Sequence, residues 1–406
     1  MRVLVTSSAR FAILKDGTLW TSDPSVSYKF WSRYLDVYDE VHLLVRATAH
    51  DVPQPGWKMS SGSGIKPVPL PNYRGVWQYA KNYHRVKQII HEAIANVEAV
   101  HLRIPCEIGG MVQHSLENSR PYGVEVIGDP YDVFAPEAYK HPLRPAFRWW
   151  FTRQLQQQCQ QATATAYVTR EALQRRYPPN AEAFSTHFSS IHLPTSDFVT
   201  ESRLSCPVAP YTLISVGTLT QLYKAPDIVI DAIAICVQQG LDLQLVWVGD
   251  GKYKQELEAR TQMRGLSKRV SFCGQLNSRE EVIKQLDRAD LFVLPSRQEG
   301  LPRAIIEAMA RGLPCIGSSV GGFAELLLPE EIVPPNDVAS LAAKISEILV
   351  NPQRMAVMSA RNLEKAQNYR DDILRQRRMK FYQYVRDRTQ EWLTYQSYPQ
   401  PEITCL

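Results

Sequence analysis

The seven cysteines of this 406-residue chain form no visible framework: they are scattered, odd in number and never in C-x-x-C spacing. That argues against a disulfide frame or a zinc site and fits thiols in a reducing compartment. Long apolar runs are missing too. The first strand, residues 2–6, is too short for a signal-peptide core, and no stretch is long enough to cross a bilayer. The expected location is therefore the cytoplasm, including the inner face of the membrane. Strong charge bias is also lacking: 46 Lys and Arg against 41 Asp and Glu leave a net +5. This is too slight to argue for nucleic acid, but it is compatible with anionic small molecules or an anionic membrane surface. The nine histidines show no H-E-x-x-H or similar spacing, and no Asp/His cluster demands a metal.

What the chain does contain is alternation. Short apolar strands and amphipathic helical patterns follow one another from the start, which predicts an α/β fold with parallel sheets covered on both faces. The length is too great for one ordinary core, so two βα domains are expected. Strands are expected at 2–6, 40–45, 99–104, 123–127 and 165–169, and the pattern restarts at 212–216, 243–248, 270–272, 290–294 and 315–317. Residues 62–71, rich in Gly, Ser and Pro, read as a surface loop. The polar stretch 197–210 reads as the linker. The expected domains are 1–205 and 206–370, followed by a C-terminal helix and tail, 371–406, crossing back to the first domain.

The chemistry concentrates in Ser296–Gly322, SRQEGLPRAIIEAMARGLPCIGSSVGG. It follows the buried-strand pattern Leu291-Phe292-Val293-Leu294. Pro302 and Gly312 bracket a helix whose core stripe includes Ile305, Ala308 and Met309. Glu299 then sits in the loop beyond a strand's carboxyl end, and Glu307 lies one turn into the helix, in the kind of crevice that binds ligands in open α/β sheets. The free N–H groups of the helix start suit a phosphate. Taken singly, Glu307 is equally an i,i+4 partner for Arg311, and Glu299 a solvated loop carboxylate. Weaker signals are Val216-Gly217-Thr218-Leu219 with Lys224 beyond, the Val246–Gly251 turn, Val270–Leu276, and Gly321-Gly322 with Glu325. Each of these alone is compatible with an ordinary strand–helix turn.

In this order the motifs closely resemble the C-terminal domain of the retaining glycosyltransferases of group 1 (family four), over residues 211–382 and more loosely before them. The resemblance implies a GT-B fold, two Rossmann-like domains facing a central cleft. It further implies transfer of a sugar from a nucleotide-sugar donor to an acceptor hydroxyl with retention, without metal or other cofactor. Glu299, Lys224 and Arg303 would be the catalytic group: Glu299 on the donor sugar, Lys224 on the diphosphate. Gly217, Thr218, Gly274, Gln275, Leu276, Gly300, Leu301, Pro302 and Glu307 would bind the donor, Glu307 through the ribose and residues 274–276 beside the base. Carbohydrate, lipid-linked or small-molecule acceptors are implied, with polysaccharide or glycolipid assembly as the setting and no nucleic acid partner.

The chain departs from the family in three places. Thr218 stands where an arginine usually makes a second diphosphate contact, and Arg303 is the candidate to offset that charge. The first strand leads to no Gly pair, only to Gly17. Asp129 stands near the position of a common histidine, where a capping role before Pro130 is equally natural. Arg103, with His101, is an acceptor-side candidate or else a core or surface residue. The aromatic–basic stretch Arg144–Arg153 suits a membrane surface, or else buries its rings against its own sheet. Two other functions stay open: an epimerase-like enzyme of the same fold, and a non-catalytic sugar-nucleotide-binding subunit.

Overall fold

The computed structural model describes residues 1–73, 75–117, 119–136, 141–203, 207–276 and 278–397; the expected boundary at 205/206 and residues 398–406 lie outside them. The first half contributes β1 (Arg2–Ile13), β2 (Leu19–Thr21), β3 (Glu40–Ala49), β4 (Lys58–Met59), β5 (Ile65–Pro71), β6 (Ala99–Ile104), β7 (Gly123–Val126), β8 (Ala164–Tyr167) and β9 (Phe184–His187). The parallel order is β5-β3-β1-β6-β7-β8-β9, with β2 pairing antiparallel to the end of β1 and β4 to β2. The second half contributes β10 (Tyr211–Val216), β11 (Leu243–Val248), β12 (Val270–Gly274), β13 (Leu291–Leu294), β14 (Cys315–Ser318) and β15 (Ile332–Val333). All are parallel, in the order β12-β11-β10-β13-β14-β15. Each sheet begins in its middle and reverses direction, between β1 and β6 and between β10 and β13. Such switch points open crevices at the carboxyl ends of the strands.

Central strands such as Leu291–Leu294 and Ala99–Ile104 are buried along their whole length, as their uninterrupted apolar character requires of parallel strands covered on both faces. The helix Asp371–Ser397 returns to the first sheet. There Tyr382 stacks on Tyr34 at 4.5 Å, and the Tyr38 hydroxyl donates to the Tyr382 carbonyl at 3.1 Å.

Two expectations are corrected. The first strand does not end at residue 6. It continues to Ile13 through an irregularity in its pairing with β3 between Thr6 and Arg10. Gly17 is thereby displaced from any sheet-end loop; with φ 81° it closes the hairpin to β2, its N–H donating to the Leu14 carbonyl at 3.0 Å. Left-handed backbone explains the glycine there. The stretch 62–71 is not wholly loop either: Ile65–Pro71 is β5, and among the described strands it pairs with β3 alone. Val41 N–H donates to the Gly64 carbonyl at 2.8 Å. In a parallel ladder alternate residues face the same neighbour, so residues 66, 68 and 70 turn their amides to β3. Pro67, Pro69 and Pro71 turn outward, where no N–H is needed.

Candidate active site

The site is built where β10 and β13 end. Pro295 stops β13, and Ser296 remains buried beneath the turn that follows. The Ser296 hydroxyl donates to Glu299 Oε1 at 2.8 Å, and Lys224 Nζ reaches the same oxygen at 2.5 Å. Both ionic side chains are largely enclosed, Lys224 at 13% and Glu299 at 9% exposure. A charge pair this dry holds a single geometry and leaves the outer carboxylate oxygen of Glu299 without a partner among the described residues.

Arg297, which sequence reasoning passed over, fixes that geometry. Its guanidinium grips Asp227 through two hydrogen bonds, at 2.9 and 2.7 Å, and also donates to the Leu222 carbonyl. Its own N–H donates to the Tyr223 carbonyl at 2.7 Å. The loop carrying Lys224 is thus tied to the loop carrying Glu299. The only sequence signal would have been a second basic residue between strand and acid, and many loops have one.

The helix Arg303–Ala310 begins after Pro302 and buries Ile305, Ile306, Ala308, Met309 and Ala310. Its start leaves backbone N–H groups free beside Gly300 and Leu301. Arg303 is exposed and makes no hydrogen bond or ion pair among the described residues. Glu307 projects from the half-buried side of the helix, also without a hydrogen bond or ion pair; Arg311 pairs instead with Asp287 at 2.7 Å. Burial pushes the Glu307 carboxyl above its ordinary range, opposed by Arg279 and Arg303. An unpaired, desolvated carboxylate suits a neutral hydrogen-bond donor such as a hydroxyl.

Thr218 spends its hydroxyl locally, 3.0 Å from that of Thr220. Gly217 lies beneath the stem of Lys224, where a Cβ would come within 2.9 Å of Lys224 Cγ. The Gly274 carbonyl accepts from Gly249 N–H at 2.9 Å, so the ends of β11 and β12 meet. Gln275 is exposed and Leu276 half-buried beyond them.

The two halves meet at these loops. A Cβ at Gly300 would lie 2.6 Å from the Ile127 carbonyl, just after β7, and one at Gly321 would lie 2.2 Å from the Glu299 carbonyl. Backbone can pass backbone at such distances only without side chains. Gly321 N–H donates to Asp132 at 3.2 Å, and Glu325 accepts from the N–H groups of Arg170, Glu171 and Ala172 at 2.6, 2.9 and 2.6 Å. Gly321, Gly322 and Glu325 therefore join loops and domains rather than facing open solvent.

On the first-domain side the candidates separate. Asp129 caps the helix Pro130–Val133, accepting from Tyr131 N–H at 2.9 Å and Tyr177 hydroxyl at 2.5 Å, and it pairs with Arg176. Its oxygens are occupied, so the capping alternative describes it. Arg103 is 6% exposed, 3.4 Å from Glu125 and 4.4 Å over the Phe30 ring. It is a buried residue near the returning helix, and it lines a small cavity together with Arg33, Arg378 and Ile127. His101 is fully buried, and burial pushes its imidazole down to about 3, so it stays neutral. In the aromatic stretch, Phe147 and Phe151 turn inward onto Phe134. Trp149 and Trp150 face out at 63% and 61% exposure. No helix among the described residues is long and apolar enough to cross a membrane.

Residues 203–365 match the family model of the glycosyl transferases group 1. Protein CapJ of Staphylococcus aureus is 24% identical over 333 residues, covering 80% of this chain and 82% of that protein. The amylovoran biosynthesis glycosyltransferase AmsK of Erwinia amylovora is 34% identical over 143 residues, 33% of this chain and 35% of AmsK. Among solved structures, Anabaena HepE in complex with UDP-glucose is similar at TM-score 0.60 and 18% identity, over 97% of this chain and 100% of that one.

Proposed function

We propose, from the premise that this chain is a group 1 glycosyltransferase with the GT-B fold, that it moves a sugar from a nucleotide-sugar donor to an acceptor hydroxyl with retention and without a metal. Residues 206–370 would form the donor side, 1–205 the acceptor side, and 371–406 the C-terminal helix and tail, the helix Asp371–Ser397 returning to the acceptor side. The observation that carries the reading is the enclosed Lys224–Glu299 pair beside a helix start and the unpaired Arg303. Departure of a nucleoside diphosphate builds negative charge on its phosphate oxygens. Lys224, Arg303 and the N–H groups of the 300–304 turn are preorganised to stabilise it.

Glu299 would accept from a sugar hydroxyl through its free oxygen, and Glu307 from the ribose. Gly274, Gln275 and Leu276 would flank the base. As the glycosidic bond to the diphosphate breaks, the acceptor oxygen bonds to the anomeric carbon on the same face. Its proton passes to the departing phosphate oxygen. Two likenesses support the setting and the donor: that to AmsK, named for amylovoran biosynthesis, supports polysaccharide or glycolipid assembly, and that to HepE, solved with UDP-glucose, supports a nucleotide-sugar donor.

Calorimetry of the chain with UDP-, GDP- and ADP-sugars tests the reading, and folded protein that binds none of them overturns it. Product from the bound donor should keep the anomeric configuration, and turnover should survive a chelator. Tight donor binding without hydrolysis or transfer to any acceptor would instead favour the non-catalytic subunit.

Arg303→Ala should weaken donor binding about 10-fold, close to a lost charge-assisted hydrogen bond of about 1.5 kcal/mol. Unchanged affinity would mean that Arg303 does not offset the missing charge at Thr218.

Peripheral contact with an anionic membrane surface is proposed through Trp149 and Trp150, whose rings face solvent beside Arg144 and Arg153. Aromatic and basic side chains suit that interface. The double variant Trp149→Ala/Trp150→Ala should lose co-sedimentation with phosphatidylserine vesicles; retention equal to wild type refutes the contact.

A further inference from the structure

Three arginines from three separate parts of the chain line one cavity near the carboxyl ends of β6, β7 and β8. They are Arg33, Arg103 and Arg378, and the lone carboxylate among the lining residues is Glu125. Glu125 is already engaged, accepting from Tyr34 hydroxyl at 2.6 Å and lying 3.4 Å from Arg103 Nε. Arg33 donates to the Ser190 carbonyl at 3.1 Å and has no ion pair among the described residues. Arg378, 8% exposed, has neither hydrogen bond nor ion pair among the described residues.

The surrounding groups do not compensate these charges. Burial, with Glu125 second, pushes the Tyr34 and Tyr382 hydroxyls well up, so both stay neutral. Asp371, the next carboxylate toward Arg33, is bound to His192 and the Leu193 N–H. Burial first, then Arg378, pushes the Arg33 guanidinium down to about 10, as crowded cations require. Against three guanidinium charges stands one carboxylate, in a place where an unpaired charge is costly.

We infer that this cavity receives an anionic group, a carboxylate or a phosphate, carried by the acceptor. The inference rests on the transferase reading for the word acceptor; the anion site itself stands on the three arginines. The cavity's volume of about 20 Å³ is close to what a single water needs, which suits the end of such a group and not a whole sugar. Its position fits an acceptor. Ile127 and Val168 line it, and the same two residues press on Gly300, with the Ile127 carbonyl 2.6 Å and Val168 Cγ2 3.3 Å from a Cβ built there. The arginine cavity and the Glu299 turn therefore share a wall. Arg33, Arg103 and Arg378 would hold the anionic end of the molecule whose hydroxyl is glycosylated.

The full chain is titrated calorimetrically with inorganic phosphate, with glucuronate and with neutral glucose. At least one anion should bind, in wild type and in Lys224→Met alike, and glucose should not. Binding should fall at least 10-fold in Arg378→Met. Phosphate alone would identify a phosphorylated acceptor, and glucuronate alone a uronic acid.

Melting separates a ligand-binding arginine from a structural one. In anion-free buffer Arg378→Met should melt above wild type, because an unpaired buried charge is gone, and saturating anion should raise only the wild-type Tm. A lower Tm for Arg378→Met with undiminished anion binding overturns the inference, as does the absence of any anion binding. UDP-glucose titrated into the same samples keeps the two readings apart. Donor binding without anion binding removes only the anion site. Anion binding by protein that accepts no nucleotide sugar removes only the transferase reading.

Discussion

Lys224→Met should lower kcat/KM about 100- to 1000-fold, the effect of removing one preorganised group that stabilises departing charge. It should also destabilise the protein by about 3 kcal/mol, because the enclosed Glu299 loses its partner. The two consequences can be separated. In the double variant Lys224→Met/Glu299→Gln no charge is left stranded, and the neutral amide can still accept from Ser296 at the oxygen Glu299 offers now, 2.8 Å away. Thermal stability should then return nearly to wild type while transfer stays lost. If the double variant recovers activity along with stability, Lys224 is a structural lysine and the proposed mechanism fails. Steady-state transfer and melting on the same preparations decide it.

Glu307→Gln should move stability and donor affinity in opposite directions. Burial raises the folded-state pKa of Glu307 above 4.5. An acid with a raised pKa holds its proton more tightly folded than unfolded. Its contribution is therefore most favourable below the unfolded pKa and declines as pH rises through the folded one. Glutamine does not titrate, so the variant should melt higher than wild type at pH 8, with the difference shrinking toward pH 4. The same change removes a charged acceptor from a ribose hydroxyl, a bond of about 1.5–3 kcal/mol, and should weaken nucleotide-sugar binding about 10- to 100-fold. A variant that melts no higher at pH 8 would mean that Glu307 finds a compensating partner in solution. Unaltered donor affinity would remove it from the ribose.

Much of this architecture was legible because parallel strands and amphipathic helices announce themselves by local pattern. Ala99–Ile104 and Leu243–Val248 fall at the expected residues. The Glu299 turn and the helix behind it were legible for the same reason: strand end, loop and helix start are consecutive. What escaped depends on residues far apart in the chain. The Arg297–Asp227 clamp spans the loop from one strand end to another. The cluster of Arg33, Arg103 and Arg378 comes together only after the last helix has folded back. Asp129 read ambiguously because its partner, Arg176, lies 47 residues away. Gly17 misled because a single glycine says that a turn exists, without saying whether the strand before it has ended at Thr6 or only at Ile13.

The proline strand has a consequence for how this molecule keeps to itself. An open sheet normally ends in a row of donors and acceptors able to template another chain. Along β5 the outward positions 67, 69 and 71 are all proline, so a strand laid against that margin would find carbonyls with no N–H between them. The ladder cannot be extended there by a second copy or by an unfolded neighbour. During synthesis, the first sheet thus acquires a margin that resists cross-β aggregation while the rest of the chain is still emerging.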